Sequence, residues 1–311
     1  VEKTFLSLVG TIRNCAGGST PWNSWITCEE DVSTANDKLE KNHGYNFEVP
    51  ATAKVHLTDP VPITDMGRFN HEAVCVDPQS GIVYQTEDRS DGLIYRYLPN
   101  SRGRLHDGGR LQVLVLKDKD RQDTRNWKAP YHIETNVEYA TEWLDIDGID
   151  SPDDDLRHRG KDMGAAVFAR GEGMWFGDNE LYFACTNGGR KKNGQVFRYQ
   201  PSEKEGQPGE KEVPGKLTLF IEPNNTDLVQ SCDNVTVAPN GHLILCEDRS
   251  TPPPRIVGVS TEGKLYHVAK NVGYRSEFAG ACFSPDGSTL FVNIQGPGLT
   301  LAIKGLWNQI G

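Results

Sequence analysis

The sequence predicts an all-β protein and, within that class, a single-domain six-bladed β-propeller spanning residues 1–311. Few segments place apolar residues at the spacing of an amphipathic helix, whereas short β-rich runs bounded by Gly, Pro, Asn and Asp recur throughout. The 32 glycines and 18 prolines indicate many turns. Periods of about 40 to 50 residues built from short strands are typical of propellers, which have about four strands per blade.

Internal repeats carry this prediction. Four segments share the order of a turn, an apolar strand and a polar strand end, and a fifth segment keeps only the strand and its acidic end. The four are Pro78 to Asp88, Gly177 to Gly188, Pro239 to Asp248 and Pro285 to Gln295, and the fifth is Trp25 to Glu30.

The spacing of the polar strand ends predicts one more repeat. These ends fall at Glu30, Asp88, Asn187, Asp248 and Gln295. The interval between Asp88 and Asn187 is about twice the others, so we expect a degenerate sixth unit near Glu142 to Asp150. Closing six units into a ring hides sheet edges that a soluble all-β chain must protect.

Charge and hydropathy exclude several function classes. Asp and Glu outnumber Lys and Arg by 43 to 33, and the net charge of −10 repels nucleic acid. No stretch approaches the roughly 20 apolar residues that cross a bilayer, and Val1 to Gly10 does not have the pattern of a signal peptide. We expect a soluble monomer whose partner is a small molecule.

The seven cysteines are widely spaced and contain no Cys-x-x-Cys pair. This pattern argues against a zinc ribbon and against thioredoxin-type redox chemistry. An odd number leaves at least one thiol unpaired, and we expect most of the cysteines to be small buried apolar residues.

Paired acids close three of the apolar strands, namely Glu29-Glu30, Glu87-Asp88 and Glu247-Asp248. Neighbouring residues on a strand point to opposite faces, so we expect one acid of each pair to face the central channel and the other to brace a loop. Converging carboxylates repel each other until protonation or a cation relieves the repulsion, and clustered oxygens suit Ca²⁺. The alternative is that these acids are capping groups at a rim.

Cys15, within Asn14 to Gly18, is a candidate soft ligand beside these hard ones, and such a mixture favours iron or another transition metal over calcium alone. The alternatives are a Gly-rich turn with a buried thiol, and a nucleophile with His71 as its base. Because they point opposite ways on a strand, only one of His71 and Glu72 is expected to line the channel.

Arg170 and Glu172 lie two residues apart and therefore share a face if they are on one strand. Arg170 has the planar fork that grips phosphate or carboxylate, and Glu172 is a candidate metal ligand. A plain ion pair is the alternative. A calcium loop at Asp153 to Asp155 is less favoured, because consecutive acids are usually solvated.

Seven segments that follow one another along nearly the whole chain carry a family resemblance. They are Asn14 to Glu30, Gly67 to Ala73, Val83 to Asp88, Gly171 to Phe176, Ala184 to Gly189, Asp233 to Pro239 and Phe278 to Phe291. In this order they resemble the PhoX-type alkaline phosphatases. The resemblance implies a six-bladed propeller whose channel holds iron and calcium ions around a bridging oxygen, and hydrolysis of phosphate monoesters in the periplasm or outside the cell.

The resemblance also implies roles for individual residues. Cys15 and Glu72 match iron ligands, and Glu30, with Asn14 and Glu29 nearby, matches a calcium-binding end. Arg170 matches the residue that holds the substrate phosphate, and Glu172 matches a calcium ligand. Glu247 and Asp248 match the acidic site of a late blade, and either one is a candidate ligand.

Two other functions remain open from the sequence. One is a calcium-dependent propeller hydrolase of another class, a lactonase or a phytase. The other is a non-catalytic propeller that is stabilised by calcium and binds a partner protein. The chain is more compact than the family phosphatases, so the loops that select the substrate are expected to differ.

Overall fold

The computed structural model describes residues 3–118 and 122–309, and within these residues the protein is all-β with nineteen strands and one short α-helix. Eighteen of these strands form five successive antiparallel modules. In the first module β2 lies between β1 and β3, with bounds β1 (Asn14–Ser19), β2 (Ser24–Glu29) and β3 (Asn46–Pro50).

The second and third modules each contain four strands in sequential order. The second consists of β4 (His71–Val76), β5 (Val83–Glu87), β6 (Ile94–Pro99) and β7 (Gly109–Leu116). The third consists of β9 (Gly171–Gly177), β10 (Glu180–Cys185), β11 (Gln195–Gln200) and β12 (Lys216–Ile221).

The fourth module has four strands and the fifth has three. The fourth consists of β13 (Cys232–Val237), β14 (Leu243–Glu247), β15 (Arg255–Val259) and β16 (Leu265–Lys270). The fifth consists of β17 (Phe278–Phe283), β18 (Thr289–Ile294) and β19 (Leu299–Lys304). The five repeat segments identified directly in the sequence thus each supply the second strand of a module.

The expected sixth repeat near Glu142 to Asp150 is wrong. This segment overlaps β8 (Glu138–Asp145), which pairs with β7 on one side and β12 on the other. It therefore joins the second and third modules into a nine-stranded sheet instead of forming a blade. The long interval in the repeat is filled by β8, by the helix α1 (Leu156–Asp162) and by connecting loops.

The first strands of the modules lie side by side. Contacts run from β1 to β4, from β4 to β9, from β9 to β13 and from β13 to β17. Two glycines allow this close approach, because a Cβ on Gly18 would lie 2.0 Å from the carbonyl oxygen of Val74 and one on Gly173 would lie 2.6 Å from the Cα of Asn234. Apolar clusters fill the spaces between modules.

No helix of residues 3–118 and 122–309 has the length and apolar character needed to cross a membrane.

Candidate metal centre

A β-bulge interrupts the first strand of each of the first four modules near its beginning. In β1, Asn14 pairs with Glu29 and Gly17 pairs with Thr27, so two residues oppose Cys28 alone. Such a bulge re-aims the side chains of the bulged strand. The four bulged pairs are Cys15 with Ala16, Glu72 with Ala73, Glu172 with Gly173, and Asp233 with Asn234.

The first residue of each bulged pair belongs to one continuous cluster of potential ligands. The cluster consists of three overlapping groups, and within each group the ligand atoms lie within 4.8 Å of one another. Glu72 is shared by the first two groups and Asp233 by the last two. The groups are Cys15, Glu30 and Glu72; Glu72, Glu172 and Asp233; and Asp233, Asp248 and Glu277.

Burial and mutual repulsion act on these acids in the same direction. Burial is the main cause that raises the pKa of Glu72 and of Glu172 well above the ordinary range, and the Asp233 carboxylate raises both further. Burial and Asp248 raise the pKa of Asp233 to about 7. Glu277 reaches a pKa of about 9 through burial and its hydrogen bond with Asp248. Without a cation, the cluster therefore retains protons.

Each acidic pair divides its two carboxylates between two tasks, as expected from strand geometry. The second acids, Glu30 and Asp248, belong to the ligand cluster, and Asp88 binds Arg170. The first acids, Glu29, Glu87 and Glu247, are fully buried and accept hydrogen bonds from the backbone of neighbouring loops.

Glu29 binds loop atoms and not the cluster. Its carboxylate accepts hydrogen bonds from the backbone N–H groups of Ile12, Gly44 and Tyr45 at 2.8 to 3.2 Å, and Nδ1 of His43 lies 2.7 Å from Oε1. The sequence placed Glu29 near a calcium site, but its oxygens are directed elsewhere, so we do not retain it as a ligand.

Glu247 is enclosed by arginines. Nη2 of Arg255 donates to Oε1 at 2.6 Å, and Nε of Arg249 lies 2.9 Å from Oε2. The backbone N–H of Arg255 donates to the same Oε2. Of the two candidate ligands at this strand end, Asp248 is therefore the one that faces the cluster, and Glu247 positions the loops around it.

Arg170 lies at the edge of the cluster and contacts three acids. It donates to Asp88 through Nε at 2.7 Å and through Nη2 at 2.8 Å. Its Nη2 is 2.8 Å from Glu172 Oε1, and its Nη1 is 3.9 Å from Asp248 Oδ2. The hydrogen bonds to Asp88 are the main cause that raises the pKa of Arg170.

Arg170 also has a strained backbone. Its φ of 56° lies in the left-handed region, which is uncommon for residues other than glycine and is often found at functional sites. The expected pairing of Arg170 with Glu172 is present, and it occurs in addition to the bidentate contact with Asp88.

His71 and Asp154 lie outside the cluster, and Asn14 uses its amide nitrogen on the neighbouring strand β2. His71 is buried beneath Phe69, its Nε2 lies 3.0 Å from the carbonyl oxygen of Gly67, and burial lowers its pKa to about 3. Nδ2 of Asn14 donates to Thr27 at 3.0 Å. Asp154 pairs with Arg157 at 3.0 Å, which fits a structural role and not a calcium loop.

Sequence reasoning missed Asp233 and Glu277. Asp233 occupies the same place in its module as Cys15, Glu72 and Glu172 occupy in theirs, and this equivalence could have identified it. Each of the four is the second residue of a first strand and the first residue of a bulged pair. Glu277 lies immediately before β17, at the position that Arg170 occupies before β9. No other module has an acid at this position, so the repeats gave no signal for it.

A cavity of about 480 Å³ adjoins the cluster, and all five modules contribute residues to its lining. Cys15, Asp233 and Glu277 contribute to its wall, together with Trp25 and Trp175. A small organic molecule can therefore lie beside the acids.

The residues fit a metal centre. Oε1 of Glu72 is fully buried and has no hydrogen-bond partner among residues 3–118 and 122–309. Burial and the Glu72 charge raise the pKa of the Cys15 thiol, so a thiolate there needs a nearby cation. Oxygen donors suit calcium and the thiolate suits iron.

Together, the fold and the site define the class of protein. Antiparallel modules are arranged as in a propeller, and they surround clustered carboxylates and a thiol. The chain belongs to the alkaline phosphatase PhoX family, whose model matches residues 1–298. The resemblance noted from the sequence is thereby confirmed. No curated protein matches the chain in sequence.

Several solved structures are similar to this chain at low identity. A gluconolactonase from Xanthomonas campestris is 13% identical, with a TM-score of 0.44, over 93% of this chain and 71% of that one. A PQQ-bound aldose sugar dehydrogenase from Streptomyces coelicolor is 11% identical, with a TM-score of 0.39, over 98% and 97%. A periplasmic gluconolactonase from Pseudomonas aeruginosa is 14% identical, with a TM-score of 0.36, over 85% and 76%.

Proposed function

We propose that this protein is a metal-dependent phosphatase that hydrolyses phosphate monoesters, with an iron and calcium cluster at the centre of its propeller-like fold. Membership of the PhoX family supports the reaction class. The observation that carries the proposal is the continuous ligand cluster beside Arg170, because it combines a cation-binding set with a group that recognises phosphate. An exported location, in the periplasm or outside the cell, belongs to the same proposal.

The ligand assignment follows the three groups. Cys15 and Glu72 are the proposed iron ligands, with Glu30 beside them. Glu172, Asp233, Asp248 and Glu277 provide only oxygen donors, which suit calcium. When bound, the cations would neutralise phosphate charge and favour an oxygen nucleophile.

Arg170 is the proposed phosphate clamp. Asp88 occupies Nε and one hydrogen of Nη2, which leaves Nη1 directed toward the cluster. Once cations draw Glu172 and Asp248 away from the guanidinium, its free edge can donate to two phosphate oxygens. Such donors stabilise the charge that develops during in-line displacement at phosphorus, and the alcohol leaves on the side opposite the attacking oxygen.

The proposal uses no protein side chain as the nucleophile, and the surroundings of Cys15 and His71 support this choice. Partial desolvation and the nearby acid Glu72 raise the pKa of the Cys15 thiol, and no imidazole belongs to the described ligand cluster. His71, the base considered from the sequence, is held against Gly67 on the other face of β4. Water is therefore the proposed source of the attacking oxygen.

The direct test compares hydrolysis of a chromogenic phosphate monoester with hydrolysis of a sugar lactone by the same purified protein, before and after chelation. We expect turnover of the phosphate ester that chelation abolishes. Turnover of the lactone alone would support the other hydrolase class. A chelator-sensitive melting temperature without turnover of either compound would support a non-catalytic, calcium-stabilised propeller.

A further inference from the structure

A group of basic side chains lies beside the end of the second strand in the third module. This group, the rim cluster, consists of Arg125, Arg190, Lys191 and Lys192. Arg190, Lys191 and Lys192 are exposed, and Arg125 is partly exposed. Its concentration of positive charge contrasts with a chain whose net charge is −10.

Hydrogen bonds connect the rim cluster to the site. The backbone N–H of Thr186 donates to the carbonyl oxygen of Arg170 at 3.1 Å, and Asn187 follows Thr186 in the chain. The carbonyl oxygen of Asn187 accepts a hydrogen bond from Trp127 at 2.6 Å. Trp127 in turn contacts two members of the rim cluster, so hydrogen bonds join the basic group to the backbone of Arg170.

Aromatic rings fix the position of three of the cations. Arg125 and Lys192 each lie 4.5 Å from the ring centre of Trp127, and Arg190 lies 4.1 Å from the ring centre of Tyr131. Cation–π contacts hold these long side chains without neutralising their charge. The cluster is therefore ordered while its charge remains available.

Nearby acids neutralise only part of the positive charge of the rim cluster. Asp123 accepts two hydrogen bonds from Arg125, at 2.8 and 2.7 Å. Glu222 lies 3.7 Å from Arg190 and also accepts hydrogen bonds from Asn126 and Gln195. Across the described ranges 3–118 and 122–309, no carboxylate forms a salt bridge with Lys191 or Lys192.

We infer that the rim cluster captures phosphate esters that carry a second anionic group and steers them to the channel. The inference rests on the proposed function for the reaction itself and adds a substrate class to it. An acidic protein repels such esters over most of its surface, and a local positive field at a channel mouth raises their local concentration and association rate. Esters with one phosphate gain less, because their only anionic group must leave the rim to enter the site.

The experiment uses two nucleotides that differ by one phosphate, adenosine 3′,5′-bisphosphate and adenosine 5′-monophosphate. The variant is Lys191→Glu with Lys192→Glu, and the control is Lys264→Glu with Lys304→Glu, which makes the same charge change at two other exposed lysines. We expect kcat/KM for the bisphosphate to fall about tenfold in the rim variant at low salt, mainly through KM. The loss in kcat/KM for the monophosphate should be smaller. Both losses should diminish in about 0.5 M salt, because salt screens the surface charges.

A binding measurement separates this inference from the proposed function. Calorimetric titration of adenosine 3′,5′-bisphosphate in the presence of a chelator needs no turnover, and the rim variant should bind more weakly than both the natural sequence and the control. Equal affinities, or equal losses in rim and control variants, would overturn the inference. If neither nucleotide is hydrolysed while the rim variant still loses affinity, the proposed reaction fails and the capture site stands. The neutral variant Lys191→Gln with Lys192→Gln tests whether charge or misfolding causes the loss of affinity. An affinity between those of the natural sequence and the rim variant would show that charge is the cause.

Discussion

Asp88 fixes the guanidinium of Arg170 through two hydrogen bonds, from Nε at 2.7 Å and from Nη2 at 2.8 Å, although 82 residues separate them in sequence. Asp88 follows the second strand of one module and Arg170 precedes the first strand of the next. The contact therefore couples the geometry of the phosphate clamp to the packing of two modules.

Asp88→Asn tests this positioning role. An amide can accept one hydrogen bond from the guanidinium but cannot match its two donors and its charge, so Arg170 should become mobile. We expect kcat/KM for a phosphate monoester to fall about 10- to 100-fold, with most of the change in KM. Asp145→Asn, which removes an exposed partner of Arg110, is the control and should behave like the natural sequence. Unchanged steady-state kinetics in Asp88→Asn would show that Arg170 does not need this partner.

Arg170→Lys tests the clamp itself. Lysine keeps the charge but loses the planar fork, so it cannot hold Asp88 and two phosphate oxygens together. We expect kcat/KM to fall about 100-fold, while the metal content measured by elemental analysis stays the same. A variant that retains most of its activity would remove Arg170 from the reaction.

Glu247→Gln and Asp248→Asn separate the two acids of one pair. Glu247 is buried between Arg249 and Arg255, so its neutralisation leaves charges unpaired and should lower the free energy of unfolding by about 3 to 5 kcal/mol. Asp248 is partly exposed and faces the cluster, so its neutralisation should weaken calcium binding with a small effect on stability. Denaturant unfolding and calcium titration of both variants provide the measurements. The reverse pattern would contradict the division of tasks.

The repeat pattern could predict the second strands and their acidic ends because strands and turns depend on local sequence. It also predicted that neighbouring acids such as Glu29 and Glu30 face opposite ways. It could not predict that β8 bridges two modules, since Glu138 to Asp145 has the composition of any half-buried strand. Which edge it pairs with depends on packing far away in sequence.

Glycine in the site motifs had a different role from the one expected. The sequence left open a Gly-rich turn after Cys15. In the structure, Gly18 makes room for the backbone of Val74 on the neighbouring first strand. Periodicity cannot distinguish these roles, because both require only the absence of a side chain.

Stability should depend on pH and on calcium together. Asp233, with a pKa raised to about 7, and Glu277, with a pKa raised to about 9, bind protons more tightly in the folded protein than in the unfolded chain. In chelator, the stability they provide is present below their ordinary pKa values and is lost as pH rises through about 7 and 9.

Calcium should reverse this loss, because it replaces the protons between the carboxylates. Calcium should raise the melting temperature at each pH. We expect this rise to be several degrees larger at about pH 9 than at about pH 5. Differential scanning fluorimetry at each pH, with magnesium as the control cation, measures it. A calcium effect that is the same at every pH would show that these acids do not bind the ion.

The most direct measurement determines iron and calcium content together with the rate of phosphate monoester hydrolysis, in the natural protein and in Cys15→Ala. If Cys15 and Glu72 hold iron in the catalytic centre, the natural protein contains both metals and Cys15→Ala loses iron and hydrolysis together, with its melting temperature in calcium largely retained. Full hydrolysis by a Cys15→Ala protein that contains no iron would contradict the iron-centred site.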